Sequence, residues 1–463
     1  MAYIGKTPVI GNFVKLDSIT VVNGQAAYTM QNGGVNFTSY DNVNQFLVSL
    51  NGVLQAPTDS FTVSSSTLTF ASNLSTGDVI DFVLVLGNSL DIGTPSDNTI
   101  STAKLQDNAI TSAKLASGVI QNQSAFKNII INGDMSIDQR NSGSSVTVGT
   151  VNPLYTLDRM PVQSSQSSKF SIQQNAGSVT PPTYFKNYIG ATSLSAYTIA
   201  SGDYFTIRQG IEGSNIINLA WGTSDAKTVT LSFWVRSSLT GTFGGSFTNS
   251  AFNRSYPFSY TITSANTWEK KSITVAGDTS GTWLTTNGVG IYVTFGLGVG
   301  STYSGTAGAW SASGLLSATG ATSVVGTNAA TFYMTGLQLE AGTTASDFEF
   351  LPYDVNLQRC QRYYETFSQG CNGTAYSTGA ISFAITYKTT KRATPSGTLL
   401  DTSINVNRAG VGSYTSSSSS IAGASYKTSG ALLNIDGWSG LTSTIAMYPP
   451  YSQDDWIAFS SEL

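Results

Sequence analysis

The sequence predicts an all-β chain: a small N-terminal β-sandwich, a short stalk, a large jelly-roll sandwich, one short helix and a C-terminal β module. Three observations support this. Short runs of alternating apolar and polar residues recur along the chain, as half-buried strands require. Turn-forming residues separate them, in a chain of 463 residues that carries 46 Gly and long Ser/Thr/Asn tracts. No rung-like repeat of roughly 20–30 residues is visible, which argues against a parallel β-helix.

Residues 1–90 read as the first β domain. Asn51-Gly52 stands between the apolar runs Phe46–Leu50 and Val53–Leu54, the strongest short signal for a type I′ hairpin. Strands are expected at Phe61–Val63, Thr67–Phe70 and Val79–Leu86, with Gly77-Asp78 supplying the last turn.

Residues 91–126 form the stalk. Asn98–Asp107 is followed at a ten-residue offset by Asn108–Ser117, aligning Ile100, Ile110 and Ile120, and Leu105 with Leu115. One copy is too small to bury its own apolar residues, whereas three chains side by side bury them around a common axis. A solvated linker is the competing reading, and the spacing leaves helix and extended rung equally open.

Residues 127–351 form the large sandwich, with strands at Lys169–Ile172, Tyr204–Arg208, Val229–Val235, Lys271–Val275, Val289–Phe295 and Thr331–Met334. Residues 352–370 read as the helix. Pro352 breaks extended structure and Asp354 stands at the expected N-cap. Leu357, Cys360, Tyr364 and Phe367 fall at spacings of three, four and three, a seam stopped by Gly370. Residues 371–463 form the terminal module, with Ile381–Tyr387 as its clearest strand.

Composition excludes several functions. Charged residues make up 10% of the chain and the net charge is −4, which leaves no basic patch for nucleic acid. There is no histidine, so imidazole acid–base chemistry, Ser-His-Asp catalysis and His-based zinc sites are excluded. The two cysteines, Cys360 and Cys371, are too few for a zinc site or a disulfide framework. They are read as unpaired thiols, consistent with assembly in a reducing cytoplasm, although pairing stays open. No cofactor or metal is expected. No apolar run approaches a membrane span, and no basic start precedes an apolar core, so membrane insertion and secretion are not expected.

Several strings carry a family resemblance. Gln338-Leu339-Glu340-Ala341-Gly342, Phe348-Glu349 and Cys360-Gln361-Arg362-Tyr363-Tyr364 occur in order. Upstream stand Asn128–Met135, Gln139-Arg140, Leu157-Asp158-Arg159, Leu231–Arg236 and Asn266–Glu269. Together they span about half the chain, which resembles bacteriophage tail fibre and tail-tip proteins with a carbohydrate-binding-type jelly roll. Residues 1–90 resemble small sandwiches near the N-termini of phage fibre proteins. Arg392–Pro395 and Glu462-Leu463 resemble landmarks of that family's C-terminal domain.

The resemblance implies a non-enzymatic, homotrimeric fibre, located in the virion and assembled in the host cytoplasm. Its N-terminal domain would join the phage tail, and its distal domains would bind a host-surface glycan or lipopolysaccharide. A glycan-degrading tailspike and a tail adaptor without host contact are the alternatives. Rings that stack on sugars are the implied contacts. Trp438, Tyr448 and Tyr451 lie in turn contexts of the last module, and Trp283, Tyr303 and Trp310 in Gly/Ser/Thr-rich stretches of the sandwich. Leu357, Cys360, Tyr364 and Phe367 are expected to face the three-fold axis with Ile100, Leu105, Ile110, Leu115 and Ile120. No catalytic residue is expected. Asp158-Arg159 reads as a salt bridge or turn, and nothing in the spacing of Glu212, Glu269, Glu340 and Glu349 selects a catalytic pair.

Overall fold

The computed structural model describes residues 13–87, 126–368, 372–408, 411–447 and 455–463. It divides into two compact units, Met1–Ile120 and Gln121–Leu463, a boundary inside the segment read as stalk. The repeat residues Ile100, Leu105, Ile110, Leu115 and Ile120 lie outside the described residues, as do Gly370, Cys371, Tyr448 and Tyr451.

The first unit is a small sandwich. One sheet runs in the order Val14–Lys15, Ile80–Val85, Phe46–Leu50, Val53–Leu54, and a second in the order Gln25–Thr29, Thr67–Leu74, Phe61–Ser64. Phe46, Val48, Phe61, Leu68 and Val83 fill the space between them. Asn51 and Gly52 adopt φ of 52° and 76°, the positive pair that a type I′ turn requires. The Asn51 side chain then clamps the neighbouring turn, donating to Asp78 at 2.8 Å and accepting from the Val79 amide at 2.8 Å.

The second unit is built on two antiparallel six-stranded sheets. The first runs Val146–Thr147, Phe170–Gln174, Ile189–Ser193, Thr331–Ala341, Val229–Ser237, Glu269–Val275. The second runs Leu154–Leu157, Met160–Ser164, Tyr204–Glu212, Val289–Val299, Gly241–Thr248, Ser255–Ile262. Alternation decides the packing: Val229, Leu231, Phe233 and Val235 enter the core and meet Phe243, Tyr260 and Phe295 from the opposite sheet. The Thr331–Ala341 strand changes phase midway. Gly336 (φ +62°) forms a bulge between the pairs Ser232–Gln338 and Trp234–Thr335, so Phe332 and Met334 before it and Leu337 and Leu339 after it all point inward.

The Asn128–Met135 stretch closes one end of this core. The Asn128 side chain accepts from the amides of Ile130 and Leu339, and Gln209 pairs with both backbone groups of Ile131 at 2.8 Å. At Gly133 a Cβ would stand 2.1 Å from the Leu337 carbonyl oxygen, so only glycine lets the two backbones approach.

The helix is shorter than the spacing predicts. It runs Tyr353–Gln361, starts from Pro352 with no side-chain cap, and carries Asp354 inside its first turn. Tyr364–Phe367 is a strand, because its backbone pairs with the chain-terminal strand Ile457–Ser460 from Tyr364↔Ser460 to Phe367↔Ile457. The four residues therefore form no continuous seam. Leu357 and Cys360 pack with Ile131, Ile137, Tyr363 and Leu463 of their own chain, and Tyr364 and Phe367 are buried as well. Burial raises the Cys360 thiol pKa well above its ordinary range.

The C-terminal module is a second, smaller core. A five-stranded sheet (Ser420–Tyr426, Gly430–Asp436, Ala380–Thr386, Gly373–Ala375, Ala446–Met447) faces a three-stranded one (Tyr364–Phe367, Ile457–Ser460, Ser396–Leu399). Ile381, Phe383, Leu433, Ile435, Trp456 and Phe459 fill it.

Candidate functional site

Most charged residues singled out in the sequence do structural work. Asp158 and Arg159 occupy the turn between Leu154–Leu157 and Met160–Ser164, both 1% exposed. Asp158 accepts from Arg140 at 3.2 Å and Arg159 pairs with Glu462, whose other oxygen accepts from Arg140 at 2.9 Å. Burial raises the Asp158 carboxyl to about 6 against the pull of Arg140 and Gln139. Glu212 receives both Arg362 guanidinium bonds at 2.9 and 2.7 Å and the Tyr363 hydroxyl at 2.8 Å. Lys391 lies 2.9 Å from Glu365, both fully buried, and burial brings the ammonium down to about 8. Arg392 donates to the Ser461 and Glu462 carbonyls at 2.8 Å. This network latches the chain terminus onto the large sandwich.

The remaining carboxylates are also engaged. Glu349 accepts from the Phe126 and Asn128 amides, Glu340 from Ser346 and Gln338, and Glu269 from Thr263, Ser264 and Lys271. Each of the four glutamates singled out in the sequence, Glu212 included, is thus engaged by protein donors.

The predicted aromatic contacts separate sharply. Trp438 is buried, its ring 6.4 Å from Phe383 in the small core, which removes it as a surface contact. Trp283 is likewise buried, 4.8 Å from Trp221 and 5.5 Å from Trp310. Trp310 is half-buried and donates its indole N–H to the Ala276 carbonyl at 2.9 Å. Trp283 and Trp310 join the sandwich core with Trp221, since a large ring gains more by joining the core than by staying wet. Tyr303 alone of the described candidates borders an open cleft.

That cleft lies on the outer face of the second sheet. Along Tyr204–Glu212, Phe205, Ile207 and Ile211 point into the core, so Tyr204, Thr206 and Arg208 point outward. The partner strand places Thr294 opposite Arg208 and Tyr292 opposite Gly210. Over one part of this face the 300–318 loop lies directly on the sheet. Bare Gly244 and Gly296 make room, since a Cβ on them would stand 2.4 and 2.9 Å from the Ser317 hydroxyl. From the other side the 249–254 turn carries Phe252 onto Tyr292, rings 5.2 Å apart and 22° from parallel. Between these walls opens a cleft of about 400 Å³, lined by Gln163, Tyr204, Arg208, Phe252, Thr302, Tyr303 and the 313–316 stretch. Tyr204 and Tyr303 meet edge to face at 5.6 Å, both half-buried.

Arg208 is the unusual member. It is 6% exposed, its guanidinium lies 4.2 Å from the Tyr292 ring centroid and 5.7 Å from that of Phe252, and burial lowers its pKa. Its Nε has no hydrogen-bond partner, and no carboxylate pairs with it among the described residues. Thr206 and Thr294 also leave their hydroxyls unpaired on this face.

Alternation in the sequence marks Tyr204–Arg208 as a strand but not as part of a site. The available signal was the outward Tyr204–Thr206–Arg208 register beside the Gly/Ser/Thr-rich stretch holding Tyr303. Phe252 gives no such signal, because the strands flanking its turn, Gly241–Thr248 and Ser255–Ile262, lack a clear alternating pattern in the sequence. Among the described residues, no group of three His, Cys, Asp or Glu side chains is placed to hold a metal.

No family model and no curated protein matches the chain. Among solved structures, it is similar to the enzymatically active domain of bacteriophage CBA120 tailspike protein 4, with a TM-score of 0.25 and 10% identity. That match covers 44% of this chain and 22% of the tailspike chain. It is also similar to a family 61 carbohydrate-binding module in complex with β-1,4-galactotriose (TM-score 0.24, 9% identity, 46% of this chain and 99% of the module). A third is the family 11 carbohydrate-binding module from Clostridium thermocellum in complex with a β-1,3-1,4-mixed-linked tetrasaccharide (TM-score 0.22, 9% identity, 44% and 97%). These likenesses are loose, so the all-β sandwich rests on the strand pairing itself and any ligand on the residues of the cleft.

Proposed function

We propose that this chain is a non-enzymatic bacteriophage tail fibre protein whose large sandwich binds a host-surface glycan in the Tyr204–Tyr303 cleft. The observation that carries this reading is the cleft: ring surfaces and polar groups converge in a pocket sized for one or two sugar units. Its lining holds no Asp or Glu, so it offers no pair of acids for glycosidic cleavage. The ordered resemblance in sequence supports the fibre assignment. Assembly as a homotrimer and mounting through the N-terminal domain rest on the sequence, chiefly on the 98–120 repeat.

Adsorption of purified protein to host cells, or to their extracted envelope glycans, tests the reading. Tyr303→Ala removes one ring, worth roughly 1 kcal/mol, and should weaken each site about fivefold. Three linked sites would magnify the loss through avidity. Unchanged adsorption by a folded Tyr303→Ala protein would refute the cleft as the receptor site. Release of soluble sugar by the wild-type protein would refute the non-enzymatic assignment, and a solution mass of one chain would refute the trimer.

A further inference from the structure

We propose that the sugar held in this cleft is acidic, and that Arg208 is the residue that recognises its negative charge. The inference rests on the glycan-binding reading above and adds the chemical class of the ligand. A guanidinium is always ionised in a protein and carries five N–H donors. Burying such a charge without a counter-ion is costly, so buried cations are ordinarily paired. The other strongly buried arginine of this unit obeys the rule: Arg159 is matched by Glu462. Arg208 is also buried, at 6% against 1% exposure, yet beside it stand the faces of Tyr292 and Phe252 and no carboxylate among the described residues.

Ring faces favour a cation but leave its N–H donors unused. The two rings hold the guanidinium plane in place before a ligand arrives, which limits the entropy lost on binding. A carboxylate or phosphate on a saccharide held in the cleft beside Tyr204 and Tyr303 meets this fork and accepts charge-assisted hydrogen bonds from it. A neutral sugar would leave the cation unmatched.

The test uses the full-length protein on a printed array of bacterial envelope glycans. Each glycan is presented native, after reduction of its carboxylates to alcohols, and after dephosphorylation. The expected result is binding to acidic glycans that falls at least tenfold after one of the two treatments. Which treatment is effective tells a uronate-type ligand from a phosphorylated one. Arg208→Met should abolish that preference with an undiminished melting temperature, because it removes an unpaired buried charge. Arg208→Lys, which keeps the charge but loses the planar fork, should retain part of the binding.

Binding that is unaltered by both treatments, or by Arg208→Met, overturns the proposal while leaving glycan binding in the cleft intact if Tyr303→Ala still weakens it. Binding that survives Tyr303→Ala as well overturns both. A lower melting temperature for Arg208→Met would assign the cation to packing and overturn the proposal in that way.

Discussion

Replacing Glu462 by Gln tests whether the chain terminus latches the C-terminal module onto the sandwich. The Glu462 carboxylate pairs with Arg159, which is 1% exposed, and with Arg140. The amide keeps the shape and an acceptor but removes the charge, leaving Arg159 with the Gly210 carbonyl and the Tyr363 ring face, 3.7 Å away. Removing one partner of a buried ion pair costs about 3–5 kcal/mol, and the retained acceptor places this variant near 3. Removing Glu462 and Leu463 together also loses the bonds to Tyr155 and Arg392, each worth about 1 kcal/mol. Native-state hydrogen exchange reads the effect directly. A 3 kcal/mol loss confined to the module lowers protection of the Ile457–Ser460 amides on the order of 100-fold, while Phe332–Leu339 in the large core stays protected. Arg159→Met combined with Glu462→Leu should recover part of the loss, since neither buried charge of that pair remains. Protection unchanged within threefold in Glu462→Gln would refute the latch, as would an equal loss in both cores.

Two further outcomes follow from the same geometry. Asp158 titrates at about 6 in the fold against roughly 3.9 in an unfolded chain. Between those values the folded state holds the extra proton, so its contribution to stability falls as pH rises from about 4 to 6, by up to ~3 kcal/mol. Urea midpoints at pH 4.5 and 7 should show this loss in the wild type relative to Asp158→Asn, and a loss in the opposite direction would contradict it. Trp438→Ala should cost about 3–5 kcal/mol in the terminal module, as expected of a buried ring. The folded fraction should adsorb normally, whereas selective loss of adsorption with unchanged melting would return Trp438 to the receptor site.

The sequence by itself determined the local geometry. The Asn51-Gly52 turn, the strands at Tyr204, Val229, Val289, Thr331 and Ile381, and the all-β class were legible because each depends on side-chain periodicity or on one turn's backbone angles. The strings that carry the resemblance turn out to hold structural roles the spacing did not announce: Asn128–Met135 plugs the core, and Glu340 and Glu349 pin loops. Only tertiary structure decided the rest, wherever a partner distant in sequence competes with a local pattern. Tyr364–Phe367 carries helical spacing but pairs with a strand about ninety residues away, so hydrogen bonds to the chain terminus override the period. Gly241–Thr248 carries no legible strand pattern because Gly244 and Gly245 lack side chains, and those gaps admit Ser317, Thr294 and Phe258. Whether a tryptophan in a glycine-rich turn faces solvent or the core is likewise set by what folds beneath it, as Trp283 and Trp438 show. The cleft gathers Gln163, Arg208, Phe252 and Tyr303 from four separate segments, and no spacing in a linear chain records that a charge will be buried without its partner.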